Sequence, residues 1–253
     1  MLMGLLRRQR QVEPTRASVP AGVRLYAIGD IHGRLDLLDH LLDLIQEDAA
    51  SGSDLDRYLV FLGDYVDRGD DSRGVIDRLA TGLPPSFGAI HLRGNHEATM
   101  LRFLADLTIG TNWLNFGGGA TLASYGITLP SAPNPAIMLL AAQRALREQL
   151  PPAHRRFLQD LRTSVTVGDY LFVHAGIRPG IPLDRQDDHD LMWIRDEFLE
   201  SPKDHGKVVI HGHTITFEPE MRANRIGIDT GAFATGRLTA LVLEGDTRRF
   251  LST

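Results

Sequence analysis

Six side chains able to ligate a hard or borderline cation recur in one setting, beside glycine and just after a short apolar run. They are Asp30 and His32 in Gly29-Asp30-Ile31-His32-Gly33, Asp64 in Gly63-Asp64-Tyr65-Val66-Asp67-Arg68-Gly69, Asn95 in Arg93-Gly94-Asn95-His96-Glu97, His174 in His174-Ala175-Gly176, and His213 in Gly212-His213-Thr214. Oxygen and nitrogen donors of this kind suit a pair of neighbouring divalent cations when no thiolate is at hand. The chain has no cysteine, so neither a disulfide framework nor a thiolate metal site is open to it. Asp30 and His32 flank a single residue, and at a fraying strand end both can turn to one side and grip one cation. A carboxylate such as Asp64 can bridge two cations about 3.5–4 Å apart, the spacing used for in-line phosphoryl displacement. Asn95, His174 and His213 then remain as neutral donors to the second cation. Taken singly, these motifs are also ordinary: a polar turn with Asp30 as a helix cap, a Gly-Asn-His turn, a core histidine. Five in series, each at a strand-like end, point to a two-metal hydrolase of phosphate esters.

The elements that must position these residues are legible as β-branched apolar runs stopping at glycine or a ligand. Strands are predicted at Leu25–Ile28, Tyr58–Leu62, Ala89–Leu92, Tyr170–Val173, Val208–Ile210, Arg225–Ile228 and Leu238–Leu243, and five of these seven deliver a ligand motif directly afterwards. Catalytic groups of open α/β sheets gather where the carboxyl ends of strands meet loops. Helical periodicity fills the intervals: Leu35, Leu38, Leu41, Leu42 and Ile45 form one apolar face, Val75, Ile76 and Leu79 a shorter one. Met100, Leu101, Leu104 and Leu107 form a third, in a helix expected to start directly after His96-Glu97.

Residues 109–161 interrupt this rhythm with Gly117-Gly118-Gly119, a proline-rich loop at Pro130 to Pro135, and a helix expected from Ala136 to Gln149, closed by Pro151-Pro152. They read as a helical cap inserted at the edge of the site. The glycine triplet lacks the Lys and Ser/Thr of a P-loop. Residues 1–22 read as a flexible N-terminal arm and 23–253 as a single domain. A short apolar run precedes Arg7, Arg8 and Arg10, the wrong order for a secretory signal. No window approaches the ~20 apolar residues of a membrane span. Cytoplasmic location follows as the expectation. A net charge of -5 spread over both signs offers no basic face for an obligate nucleic-acid partner.

The ordered motif set resembles the metallophosphoesterase (calcineurin-like) superfamily, and within it the bacterial and phage-type PPP serine/threonine phosphatase branch, over essentially Arg24 to the C-terminus. The resemblance implies an α/β fold: a four-layer sandwich of two mixed β-sheets flanked by helices, with the metal site at the strand C-terminal loops. It places Asp30, His32 and Asp64 on the first metal and Asp64, Asn95, His174 and His213 on the second. Mn²⁺ is the implied ion, although Fe, Zn²⁺ or Co²⁺ would accept the same donors. Many phosphodiesterases of the superfamily carry Gly-His-x-His, where this chain has Gly212-His213-Thr214-Ile215, which favours the PPP branch. His211 is expected in the core or behind the ligands.

The implied chemistry is attack on phosphorus by a hydroxide bridging the two cations, with no protein nucleophile. His96, beside a ligand but free of the metals, would protonate the leaving alkoxide, and Asp67 would hold its tautomer. Arg68 would clamp phosphoryl oxygens with its planar fork; Arg195, in Leu191-Met192-Trp193-Ile194-Arg195, is the expected second clamp. Asn95 doubles as a substrate contact. Arg93 would support Asn95, and Asp229 would orient a metal histidine. The expected substrates are phosphoserine and phosphothreonine monoesters of a phosphorylated protein, or a small phosphoester. The alternative is a dinucleoside polyphosphate, since that related group shares ligands and fold. Asp67 and Glu97 stand where symmetrical hydrolases of that group commonly have Ala and Asp, and they tilt this reading toward the protein phosphatase. A non-catalytic adaptor would be expected to lack His96, Asp67 or a clamp arginine, and the chain has them all.

Overall fold

The computed structural model describes residues 17–51, 55–130 and 134–253. Its strands form two five-stranded sheets. The first runs, edge to edge, β10 (Thr247–Ser252), β9 (Thr239–Glu244), β1 (Val23–Ile28), β2 (Asp56–Phe61) and β3 (Gly88–His91). The second runs β4 (Ser164–Val167), β5 (Tyr170–Val173), β6 (Val208–His211), β8 (Arg225–Gly227) and β7 (Glu220–Met221). Within each, three neighbouring strands are parallel, β1-β2-β3 and β5-β6-β8, and antiparallel strands close one edge of the first sheet and both edges of the second. Both sheets are therefore mixed.

The two-residue period of a strand sorts side chains into layers. Tyr26 and Ile28 of β1, and Leu59 and Phe61 of β2, face one core beneath helices, while Leu25, Ala27 and Val60 face a second core. From the other sheet, Tyr170 and Phe172 of β5 enter that same second core, and Leu171 and Val173 point away into a third. Helices, sheet, sheet, helices is the resulting order. Helices α1 (Leu35–Ala49), α2 (Ser72–Thr81) and α3 (Asn95–Ala105) cover the first sheet. From Leu107 the chain turns through α4 (Gly110–Trp113), a wide turn at Leu114–Gly118 and α5 (Gly119–Ser124), then α6 (Pro135–Gln149) and α7 (Pro152–Gln159). The inner sides of these helices join the same core through Trp113, Leu122, Leu139, Leu146 and Leu158. Short helices α8 (Asp188–Trp193) and α9 (Asp196–Leu199) cover the second sheet, and α10 (Ala232–Thr235) follows β8.

Several boundaries differ from expectation for local reasons. α3 starts at Asn95, before His96-Glu97, because the Glu97 carboxylate reaches back to the Gly94 N–H at 2.9 Å and caps the turn. Pro151-Pro152 both ends α6 and opens α7, with Pro152 at a first-turn position where a missing N–H costs nothing. The unforeseen strands β4, β7 and β10 are all sheet edges. Of the expected N-terminal arm, residues 1–16 lie outside the described residues. Residues 17–22 pack against the second sheet: Val19 is buried, Ser18 N–H donates to Asp169 Oδ2 at 3.1 Å, and the Tyr170 hydroxyl donates to Ala17 O at 2.8 Å. Part of the expected Pro130 to Pro135 loop, residues 131–133, also lies outside the described residues.

Candidate active site

The parallel strands deliver the candidate site residues to one end of the sandwich. β1 empties into Asp30, β2 into Asp64, β3 into Asn95, β5 into His174, β6 into His213 and β8 into Asp229. Among the described residues, every non-glycine with positive φ belongs to this end: His32 at 46°, Asp64 at 51°, Asp67 at 71°, Arg68 at 71° and His213 at 65°. Such backbone is costly for these residue types and persists where surrounding structure over-determines it. The flanking glycines serve a different need. A Cβ at Gly94 would collide with Asp64 Oδ1, and one at Gly212 with Asp30 Oδ1, so both carboxylates lie where only glycine lets them.

His32 Nδ1 sits 2.8 Å from Val66 O and His174 Nδ1 2.9 Å from Leu62 O, each able to donate its proton to a carbonyl and turn Nε2 inward. Those inward nitrogens lie 3.5 Å and 3.4 Å from Asp64 Oδ2, so Asp64 stands between them as a bridging ligand must. His174 Nε2 also meets Asn95 Oδ1 at 2.9 Å. His213 Nε2 is buried without a hydrogen-bond partner. Burial lowers His32 to about 3 and His213 to about 2, so both are neutral imidazoles, the form that ligates metals. Burial works against the Asp64 carboxylate, but His174 and His96 beside it outweigh that and hold it well below the usual range. The orphaned inward nitrogen of His213, the neutral His32 and His213 rings and the ionised Asp64 carboxylate fit a divalent-cation pair. Proximity alone groups His32, Asp64 and His96, and separately Asp64, His174 and His213. Asp30 accepts the His213 backbone N–H at 3.0 Å and lines the same cavity of about 250 Å³.

Both nitrogens of His96 are engaged by residues outside the expected ligand set. Nδ1 lies 2.7 Å from Asp67 Oδ2, and Nε2 lies 3.2 Å from an Arg68 guanidinium nitrogen. Burial disfavours charge on His96, but Asp64 and Asp67 prevail and raise it above its ordinary value. Arg68 also stacks over the Phe233 ring at 4.5 Å. Arg195 reaches the cavity rim from the second sheet, with Nη1 3.1 Å from Thr214 Oγ1. Two expected supports act elsewhere. Arg93 ties β3 to the carbonyl of Gln159, at 2.9 Å, and not to Asn95. The Asp229 carboxylate accepts the Gly231 N–H at 2.9 Å and holds that turn, with no bond to a ligand histidine. His211 is a core residue against Phe198, as its place before Gly212 implied.

Across residues 23–234 the chain matches the calcineurin-like phosphoesterase family. It belongs to that family. Among curated relatives it is similar to the asymmetrical bis(5'-nucleosyl)-tetraphosphatase PrpE of Bacillus anthracis, at 31% identity over 85% of this chain and 88% of the relative. The enzyme of the same description from Oceanobacillus iheyensis is 26% identical over 86% of this chain and 88% of its own length. A solved structure provisionally named a diadenosine tetraphosphatase shares the fold with a TM-score of 0.62 at 22% identity, covering 94% of this chain and 98% of that one. A Saccharomyces cerevisiae protein serine/threonine phosphatase gives 0.54 at 15% identity, covering 91% and 79%. These structural likenesses speak to the fold.

This phosphoesterase also uses residues that motif reading left unassigned. Glu97 accepts the backbone N–H groups of Asp64, Tyr65 and Val66 at 2.9, 2.7 and 3.2 Å, besides that of Gly94, and so pins the whole Asp64 loop. Asp67 receives Trp113 Nε1–H at 3.0 Å and the Thr121 hydroxyl at 2.6 Å, which aims its remaining lone pairs at His96. Phe116 and Trp193 line the cavity mouth. The one sequence signal for the 113–121 segment was the glycine triplet: Gly117, at φ 104°, accepts the Arg68 N–H at 3.2 Å, so the triplet docks this segment on the Asp67-Arg68 turn.

Proposed function

We propose that this calcineurin-like phosphoesterase is a metal-dependent hydrolase of dinucleoside polyphosphates, acting asymmetrically on a dinucleoside tetraphosphate in the cytoplasm, with residues 23–253 as one domain. The observation that carries this reading is the similarity to the bis(5'-nucleosyl)-tetraphosphatases along nearly the full length of both chains. Asp67 and Glu97, which tilted the sequence reading toward a protein phosphatase, hold His96 and the Asp64 loop in place here. Neither contacts the space where the rest of a substrate would lie, so they bear on phosphoryl chemistry and not on substrate identity.

In this reading Asp30, His32 and Asp64 hold one cation, and Asp64, Asn95, His174 and His213 the other, with Mn²⁺ as the activating ion. Two such cations supply Lewis acidity, making a water acidic enough to attack phosphorus. The chain's own residues do the rest. Arg68 and Arg195, on opposite sides of the cavity mouth, neutralise phosphoryl oxygens and align the P–O–P unit. With the Arg68 guanidinium turned from Nε2 onto phosphoryl oxygens, His96 can carry a proton at Nε2 and give it to the departing oxygen, while Asp67 keeps Nδ1 protonated and the ring oriented. The water oxygen ends on one phosphorus, and the bond to the bridging oxygen breaks. Cleavage of a dinucleoside tetraphosphate next to its first phosphorus yields a nucleoside monophosphate and a nucleoside triphosphate.

The test is product release by the Mn²⁺-loaded protein from diadenosine tetraphosphate and from a phosphoserine peptide at equal concentration. A higher kcat/KM on the dinucleotide, with AMP and ATP in equal amounts, is expected. Preference for the peptide, or ADP as the sole product, would overturn it.

A further inference from the structure

Resting on the dinucleotide reading, we propose that Phe116 and Trp193 form a base-stacking platform that holds one nucleobase of the substrate and sets specificity for nucleotides over simple phosphoesters. The catalytic cavity, about 250 Å³, is smaller than the ~300–1,000 Å³ of pockets that enclose drug-sized ligands. A phosphoryl group fits inside it, so the nucleosides must lie on the rim. Two aromatic rings begin where the metal-facing histidines end. The Phe116 centroid is 6.2 Å from that of His96 and 6.4 Å from that of Trp193, and Trp193 is in turn 6.4 Å from His213. Phe116 is 44% exposed although its neighbours Trp113 and Leu122 are fully buried. An aromatic face left open there costs hydrophobic burial, and a stacked base would recover it.

Charge decides which side of the mouth the nucleotide takes. Beyond Arg68 and Phe233 lies a hollow lined by Asp36, Asp39, Asp70 and Asp71 against Arg34 and Arg68, with Asp36 and Asp39 ion-paired to Arg34 and Arg78, so its net charge is negative and disfavours a polyphosphate. On the other side Arg195 stands two residues from Trp193 on the same rim. A polyphosphate spanning Arg68 and Arg195 would therefore lead its nucleoside over Phe116 and Trp193. The backbone beside Phe116 is tied to that of Arg68 by the hydrogen bond from Arg68 N–H to Gly117 O, so this ring is held next to the phosphate clamp.

The chain has two tryptophans, and Trp113 is fully buried, so a change in fluorescence on adding nucleotide reads Trp193. The experiment titrates the Mn²⁺-loaded protein with AMP and with inorganic tripolyphosphate, in the wild type, Phe116→Leu and Phe116→Tyr. AMP is expected to quench, with a midpoint raised about 10-fold or more in Phe116→Leu, the scale of one lost base stack, and kept in Phe116→Tyr. Tripolyphosphate affinity, read by its inhibition of hydrolysis, should change far less than AMP affinity. Absence of AMP quenching in the wild type, an unaltered midpoint in Phe116→Leu, or equal shifts for both ligands would overturn the platform. If diadenosine tetraphosphate is cleaved well but its kcat/KM is untouched in Phe116→Leu, the platform fails and the dinucleotide reading stands. If the phosphopeptide is the better substrate while AMP quenching still depends on Phe116, the substrate reading and the specificity role both fail, and only base binding at Phe116 and Trp193 stands.

Discussion

At the scale of single residues, the proposed chemistry divides the site into candidate metal ligands and one candidate proton donor. Asp64 lies within 3.5 Å of two inward-facing imidazole nitrogens, so Asp64→Asn removes charge where both cations would need it. Elemental analysis of that variant is expected to show loss of bound metal together with activity; full occupancy by two metals would exclude the bridging role. His96 has both nitrogens engaged, by Asp67 and Arg68, and its loss should spare the metals. His96→Asn is expected to lower kcat by about 10²–10⁴ on an alkyl phosphate, where the leaving oxygen is strongly basic, and by less on a dinucleotide, whose polyphosphate leaves more readily. Equal losses on the two substrates would remove His96 as the proton donor.

At the scale of elements, the Asp64 loop is held by one side chain from the first turn of α3. Glu97 accepts four backbone N–H groups, and burial pushes its carboxyl up to about 7. Glu97→Gln replaces one accepting oxygen with a donor that faces N–H groups, an arrangement costing on the order of 1–3 kcal/mol per unsatisfied group. The expected result is a lower melting temperature and metal affinity weakened about 10-fold or more, measured by chelator competition, with residual kcat at saturating metal. The central strands β1, β5 and β6 were readable because they are buried on both faces and so read as continuous apolar runs, as Tyr170–Val173 does. β10, with Arg248 and Arg249 inside it, and the half-exposed β4 gave no such run, because an edge strand has one solvated side.

At the scale of the whole molecule, acid should unfold the protein through two histidines held neutral outside the candidate ligand set, the half-buried His91 and the buried His211. Burial lowers His91 and His211 to about 4. Their unfolded value is near 6.5, so the unfolded chain binds more protons between these limits. Stability is then complete above about pH 6.5 and is lost as pH falls from there toward about 4, each group contributing on the order of 3 kcal/mol. The His91 ring stacks on Phe61 with an interplanar angle of 2° and its Nε2 has no partner, so a phenyl ring should fit in its place; His91→Phe is expected to flatten the fall in urea midpoint between about pH 7 and 5. An identical slope in the variant would exclude His91 as a source of acid lability. Among the described residues no helix is long and apolar enough to cross a membrane.

The sequence alone named the candidate ligands, because glycine-bracketed donors after apolar runs are short-range pattern, and it named the layered α/β architecture through the family resemblance those motifs carry. A strand's period assigns its side chains to a core, and a glycine beside a carboxylate marks a close approach before the partner is known. Tertiary structure decided what acts together across the chain. Asp67 is oriented by Thr121, and the Asp64 loop by Glu97, over separations of 54 and 33 residues that no local pattern encodes. It also decided that Phe116 opens toward the cavity while Trp113, three positions earlier, is buried. Both are aromatic residues in one helical stretch, and only the packing of that stretch against the Asp67-Arg68 turn tells a core ring from one left for a ligand.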